Sequence, residues 1–285
     1  SQRTYQRVRH RLMQTAYDVV HVHNVLPLIS PSVYYAAKSQ GIPVVQTLHN
    51  YRLLCPNALF FRHGKVCEDC LGETVPLAGV YHGCYRNSRA ATGVIAAMNT
   101  LHRGLKTRTA AVDTYIALTE FARQKYIEGG IPADKIKVKP NFVEYDLGAG
   151  RGNGNYALYV GRLSVEKGLD TLLEAWQIIG QRLPLKIVGD GPLSDMVVRA
   201  ADKNPAIEWL GRLPMQEVYK LMGDATALIF PSKWYETFGR VAIEAFAKGT
   251  PVIAANIGAI AELVTPHRTG LLFEPSRADS LAAQI

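Results

Sequence analysis

The second half of the chain switches repeatedly between short apolar runs and longer segments of helical period, and that alternation leaves few folds open. The runs at 156–160, 185–188, 207–210, 225–230 and 251–254 are rich in Val, Ile, Leu and Ala, as buried strands are. Helix-period segments fill 169–181, 193–203, 215–222, 239–249 and 259–264, and an apolar run closes at 270–273. Strands and helices alternating through short connections specify a parallel, doubly wound α/β sheet. In such sheets ligands bind beyond the carboxyl ends of the strands.

The first half repeats the pattern with an interruption. A basic helix is expected over 1–14, a strand at 18–23, a loop at 24–27, a helix at 32–40 between Pro31 and Gly41, and a strand at 43–47. His23 and His49 then fall at strand ends. From Tyr51 to Arg89 the periodicity breaks down, and this irregular insertion holds all four cysteines. Helices are expected again at 88–107 and 120–129, around a strand at 114–118. Ile136 to Val138 leads into Lys139-Pro140-Asn141. The glycine-rich stretch 144–155 is the best linker candidate. The resulting division is a first domain over 1–143 with an insertion at 51–89, a linker at 144–155 and a second domain over 156–285.

The most informative stretch runs from Ala225 to Gly249. A strand ends at Phe230, a polar turn follows at Pro231-Ser232, and a helix starts around Phe238-Gly239 and stops at Gly249. Glu236 precedes this helix and Glu244 lies within it. A helix N-terminus attracts phosphate, and a carboxylate nearby can accept hydrogen bonds from sugar hydroxyls. Two glutamates astride a strand–turn–helix therefore suit a nucleotide-sugar.

This stretch resembles the E-x7-E motif of the family 4 retaining glycosyltransferases. The likeness continues in Gly161-Arg162 with Glu166-Lys167-Gly168, in residues 187–192 (Ile-Val-Gly-Asp-Gly-Pro), in 249–253 and in Ala261-Glu262. Five motifs occur in the family's order across 156–275. The resemblance implies the GT-B fold: two Rossmann-like doubly wound domains facing a cleft, with the nucleotide-sugar on the second. It also implies strands upstream of residue 1, so that the first domain is incomplete, and a helix that continues past residue 285. Two positions depart from the pattern: Ala259 stands where a second glycine is common, and Phe142 replaces a small residue.

Transfer from a nucleotide-sugar requires stabilisation of a departing diphosphate. No Asp-x-Asp motif for a divalent metal occurs, and the GT-B fold that the resemblance implies uses fixed positive charge and helix N-termini instead. Arg162 and Lys167, five apart in a loop bracketed by Gly161 and Gly168, suit the pyrophosphate, and the backbone of Thr237, Phe238 and Gly239 would complete the cradle. By resemblance, Glu244 takes the ribose hydroxyls, Glu236 the sugar hydroxyls, and His49, within His49-Asn50-Tyr51, a donor hydroxyl near the reacting carbon. Leu213 is a plausible backbone contact for the base. Gly189 and Asp190 could line the same site, although their sequence is also a good turn. Retention of configuration is implied by the family alone. No cofactor is required; the donor base (uridine, guanosine or adenosine) is open.

Cys55, Cys67, Cys70 and Cys84 include one C-x2-C pair. A structural zinc site and free thiols are comparable readings, with disulfides less favoured in a cytosolic chain. Charge is uneven: of a net +8, residues 1–147 carry 18 Lys/Arg against 10 Asp/Glu, whereas 148–285 carry 14 of each. The basic half suits an anionic partner or simply a solvated face. No apolar run approaches the ~18 residues of a membrane span, and no signal-peptide core is evident. The expectation is a cytoplasmic hexosyltransferase, near the inner face of a membrane, with a glycan or lipid-linked acceptor, serving surface polysaccharide or glycoconjugate synthesis. Two alternatives stand beside it: a basic zinc-knuckle module that binds nucleic acid, disfavoured for want of an aromatic–basic stacking motif, and a GT-B protein that only binds.

Overall fold

The computed structural model describes residues 2–25, 30–144 and 148–285. The chain divides into two compact units, residues 1–62 with 67–140, and residues 63–66 with 141–285.

Residues 1–140 run α1 (Gln2–Gln14), β1 (Val20–Val22), α2 (Ser32–Lys38), β2 (Val44–Thr47), β3 (Phe61–Arg62), β4 (Lys65–Val66), α3 (Leu77–Tyr81), α4 (Arg89–Gly104), α5 (Thr107–Ala110), β5 (Thr114–Ala117), α6 (Glu120–Glu128) and β6 (Ile136–Val138). Four strands make a parallel sheet in the order β1-β2-β5-β6, and β3 pairs only with β4. The insertion is therefore a small hairpin and tight turns, with left-handed φ at the non-glycine residues Ala58, Phe60, His63, Arg86 and Asn87. Its core is completed by rings: Tyr51 stacks on Tyr126 at 5.6 Å, and the Tyr126 hydroxyl donates to Asn50 O at 2.5 Å. Of the loop expected at 24–27, residues 26 and 27 lie outside the described residues.

The second unit alternates without interruption: β7 (Ala157–Val160), α7 (Leu169–Ile179), β8 (Leu185–Val188), α8 (Ser194–Lys203), β9 (Ile207–Gly211), α9 (Met215–Asp224), β10 (Ala227–Phe230), α10 (Arg240–Ala247), β11 (Val252–Ala255), α11 (Gly258–Leu263), β12 (Gly270–Phe273) and α12 (Ala278–Gln284). Six strands pair in parallel in the order β12-β11-β10-β7-β8-β9. β10 and β11 are buried at every position, as strands covered on both faces must be. One face packs against α7, α8 and α12 around Trp176, which is fully buried and donates Nε1–H to Leu183 O at 2.8 Å. The other packs against α9, α10 and α11 around Met222, Ala242 and Ile260.

The expected linker behaves differently along its length. Residues 145–147 lie outside the described residues. Beyond them, the N–H groups of Gly150, Gly152 and Gly154 donate to Lys248 O, Gly223 O and Asp224 O at 2.8, 2.9 and 2.8 Å. A Cβ at Gly150 would stand 1.9 Å from Gly223 O, so glycine is needed there for close backbone contact. Residues 150–154 are thus strapped to the second unit instead of spanning freely.

Candidate functional site

Strand order decides where a site can form in the second unit. From β7 the chain winds outward through β8 and β9, and from β10 it winds the opposite way through β11 and β12. The loops after the neighbouring strands β7 and β10 therefore diverge from one switch point, where a crevice opens. The β7 loop carries Arg162 and Lys167; the β10 loop carries Glu236.

Backbone contacts hold these loops together. Gly168 has φ +71°, and a Cβ there would meet Pro231 O at 1.9 Å; Lys233 N donates to Glu166 O at 2.9 Å. On the other side Gly189 has φ +139°, and its Cβ would meet Gly161 O at 1.9 Å. Leu163 N donates to Asp190 O at 3.0 Å, and the Tyr159 hydroxyl donates to Arg162 O at 3.0 Å. Only glycine permits such approaches at a left-handed φ. Gly161, Gly168 and Gly189 are thus part of the joinery that sets the two loops.

The result is a polar knot. Lys167 Nζ donates to Glu236 Oε1 at 2.5 Å, Trp234 Nε1 to the same oxygen at 2.9 Å, and the Ser232 hydroxyl at 3.0 Å. Glu236 is 8% exposed, a burial that a carboxylate tolerates only with such donors. Lys167 Nζ also lies 5.4 Å from the centre of the Trp234 ring. Arg162 is exposed, and its guanidinium makes no hydrogen bond or ion pair with the described residues. Thr237 and Phe238 are buried beside Glu236, and Gly239, at φ +107°, leads into α10 with no side-chain cap. Ala242 N donates to Gly239 O at 3.0 Å, while the N–H groups of Arg240 and Val241 precede the first intrahelical acceptor.

Glu244, one turn into α10, is 4% exposed. Its partner is Arg240 four residues earlier, whose Nε donates to Oε1 at 2.9 Å, and the Tyr219 hydroxyl also bonds it. Burial pushes the Glu244 carboxyl above its ordinary pKa, while Arg240 and Tyr219 work against that rise. Leu213 is half-buried after β9 against the α9–α11 core. Asp190 is exposed and its Oδ1 accepts from Gly191 N at 2.7 Å and the Ser194 hydroxyl at 2.9 Å. Its carboxylate is therefore engaged in the turn. Ser232, Trp234, Tyr219 and Arg240 are the partners that sequence reading missed. A buried carboxylate needs donors, and Ser232 and Trp234 stand only four and two positions before Glu236.

His49 belongs to the first unit, at the end of β2. His23, at the end of the adjacent β1, places Nδ1 2.7 Å from His49 Nε2. The two rings stack at 5.0 Å, His21 lies 4.5 Å from His23, and His21 Nε2 bonds the Thr47 hydroxyl at 2.8 Å. Burial, then His23 and His21, hold the His49 pKa below the ordinary imidazole value. A cavity of about 70 Å³ beside it is lined by the polar side chains of Asn24, Gln46, Thr47, Asn50 and Arg52.

For the four cysteines the sequence left a structural zinc site and free thiols as comparable readings. Cys55, Cys67, Cys70 and Cys84 line one cavity and are all free thiols. Among the described residues, however, no group of three or more His, Cys, Asp or Glu side chains is placed to hold a metal ion. The Cys55 thiol instead donates to Asn57 Oδ1 at 2.9 Å. Burial pushes the Cys70 thiol up to about 12 and raises Cys55 and Cys84 as well. Buried thiols of this kind are poor nucleophiles.

Two family descriptions divide the chain: "Glycosyltransferase Family 4" matches residues 1–147 and "Glycosyl transferases group 1" matches residues 149–285. Glycogen synthase of Mycobacterium tuberculosis (strain CDC 1551 / Oshkosh) is 37% identical over 134 residues, covering 45% of this chain and 32% of that protein. O-antigen chain mannosyltransferase B of Escherichia coli is 31% identical over 164 residues, covering 54% and 41%. The chain thus spans well under half the length of these relatives. Among solved structures, Anabaena Alr3699/HepE in complex with UDP superposes with a TM-score of 0.71 at 19% identity, covering 98% of this chain and 70% of that one. Its likeness establishes the GT-B fold of two Rossmann-like units. With one family description matching more than half of its residues and the other most of the remainder, the chain belongs to glycosyltransferase family 4.

Proposed function

We propose that this chain carries the donor-binding machinery of a retaining glycosyltransferase that moves a sugar from a nucleoside-diphosphate sugar to a glycan or lipid-linked acceptor. The observation that carries this reading is the Lys167–Glu236 pair at the switch point of the second sheet. A diphosphate arriving there competes with Glu236 for the ammonium of Lys167. The freed Glu236 carboxylate then accepts hydrogen bonds from the sugar, still steadied by Ser232 and Trp234. Arg162 supplies a second cation, and the open N-terminus of α10 adds N–H groups toward the phosphates. Together they offset charge on the departing diphosphate without a divalent ion. Glu244 takes the ribose hydroxyls, and Leu213 meets the base.

His49 hydrogen-bonds a donor hydroxyl near the anomeric carbon. In a front-face transfer, the acceptor oxygen bonds that carbon while the bond to the diphosphate breaks, and the acceptor's proton passes to the leaving phosphate. The named relatives act on glycogen and O-antigen chains, and Alr3699/HepE binds UDP. They support synthesis of a polysaccharide or glycoconjugate from a uridine- or other nucleoside-diphosphate sugar. The test is calorimetric titration of UDP, GDP, ADP and their sugars into wild-type and Lys167→Met protein, with and without EDTA. Binding of one diphosphate that EDTA leaves intact and Lys167→Met abolishes is expected. Binding that persists unchanged in the variant would refute the assignment.

A further inference from the structure

Arg108, in α5, is buried without a counter-charge. It is 9% exposed, and its guanidinium makes no hydrogen bond or ion pair with the described residues. The hydroxyls around it donate elsewhere: Tyr115 to the Arg108 carbonyl at 3.0 Å, Tyr34 to Gln46 Oε1 at 2.9 Å, and Tyr126 to Asn50 O. Carboxylates are equally lacking. Residues 74–112 contain no Asp or Glu. Asp113 is held by Lys38 at 2.5 Å, and Glu73 is exposed and in no ion pair with the described residues. The other charge at hand is Arg103, of the same sign. Burial holds the Arg108 pKa below the ordinary guanidinium value, and Arg103 adds to that fall against the opposing pull of Tyr115. A guanidinium nonetheless stays protonated in a protein, and a buried charge is costly unless it is paired.

Beside the guanidinium lies a cavity of about 10 Å³, which Arg108 lines together with Arg103, Asn99, Gly72, Glu73 and Thr74. The groups that could accept from Arg108 there are engaged with α4. Glu73 O accepts from Arg103 at 2.7 Å and Thr74 O from the Thr100 hydroxyl at 3.2 Å. The Asn99 amide donates away from the cavity, to Arg52 O at 2.9 Å. The space admits one occupant about the size of a water. A water would accept hydrogen bonds from Arg108 but would leave two like charges uncompensated. A monoatomic anion would do both.

We infer that Arg108 and Arg103 bind a halide ion, chloride, in this cavity. The ion pins the insertion loop at 72–74 to α4 and α5, so that the insertion is held by a buried charge pair as well as by its own tight turns. A group of oxyanion size does not fit the space. The site stands independently of the glycosyl-transfer reading, because neither arginine is assigned to that chemistry.

Thermal midpoints in sodium chloride, against sodium gluconate of equal ionic strength, test it, together with diffraction from crystals grown in sodium bromide. The midpoint should rise with chloride and stay level in gluconate, and the anomalous signal of bromide should fall between Arg108 and Arg103. Arg108→Met keeps much of the side-chain volume and removes the charge, so its midpoint should ignore chloride. Arg103→Gln, at a half-buried position and milder for folding, should raise the chloride concentration needed for half the effect by about tenfold, the loss of one charge-assisted bond. The proposal is overturned if the wild-type midpoint does not distinguish chloride from gluconate, or if bromide leaves the cavity without anomalous signal, since water would then be the occupant. Sulfate acting as chloride does would refute a monoatomic ligand. A midpoint lowered by Glu73→Gln in a protein indifferent to chloride would make that carboxylate the counter-ion and refute the site.

Discussion

The ammonium of Lys167 and the carboxylate of Glu236 are joined at 2.5 Å although 69 residues separate them in sequence. Lys167 closes a short 3-10 turn over Val165–Lys167, and Glu236 lies in the loop after β10. They meet because β7 and β10 are neighbours, and because Gly168 lets the first loop rest on the backbone of Pro231.

That pair makes Glu236 the more telling substitution. Glu236→Gln keeps an acceptor for Ser232 and Trp234 and releases Lys167 from its ion pair. Diphosphate binding should persist or tighten, whereas transfer should fall by about 10²-fold, as when one preorganised polar group is removed from a transition state. Turnover and diphosphate affinity measured side by side decide it; equal losses in both would mean that Glu236 serves binding alone.

Glu244→Gln is expected to weaken diphosphate binding by about tenfold or more, through loss of a charge-assisted bond to a ribose hydroxyl. Stability should move the other way as pH rises. Because burial raises the folded-state pKa of Glu244, its ionisation costs stability above the ordinary carboxylate range, and that cost fades as pH falls through the raised value. The variant should thus gain on the wild type in urea midpoint at neutral pH and lose that advantage in acid. A constant difference at all pH values would refute the link.

The histidine pair carries the opposite sign. An imidazole whose folded pKa lies below its ordinary value of 6.5 resists protonation in the folded state. Stability contributed by neutral His49 is then present above that ordinary pKa and lost as pH falls below it. Two protonated rings would also aim N–H at N–H across 2.7 Å. Urea midpoints of the wild type should fall between pH 7.5 and 5.5, and His49→Gln should flatten that slope. An unaltered slope in the variant would place the titration elsewhere.

Gly168→Ala should cost about 2 kcal/mol or more, since the new methyl meets Pro231 O at 1.9 Å on a left-handed backbone. Gly93→Ala in α4, where a Cβ meets nothing within 4 Å, should stabilise slightly, by about 0.5–1 kcal/mol. Denaturant midpoints of the two variants differing by less than about 1 kcal/mol would contradict the packing described for the loops.

Much of the architecture was legible in the order of residues. Period settled the alternation of strands and helices, so that 185–188 and 270–273 agree residue for residue and the other elements of the second unit shift only slightly at their ends. Local chemistry marked the turns, as with Pro31 before α2 and Gly239 before α10. The motifs also pointed to Lys167, Glu236 and Glu244, because a phosphate and a sugar demand cations and carboxylates near a helix start.

Tertiary structure alone decided which partners those residues hold. Sequence placed Glu244 within the helix after Gly239, but only the fold of α9 against α10 supplies Tyr219. Cysteine spacing showed one C-x2-C pair; only the fold brings all four thiols around one cavity, with Cys55 turned to Asn57. The 16 residues of α4 read as an ordinary amphipathic helix, and nothing in their period says which face turns inward. Periodicity is local and survives any arrangement of elements, whereas partners and outward faces depend on which distant segments the sheet order brings together.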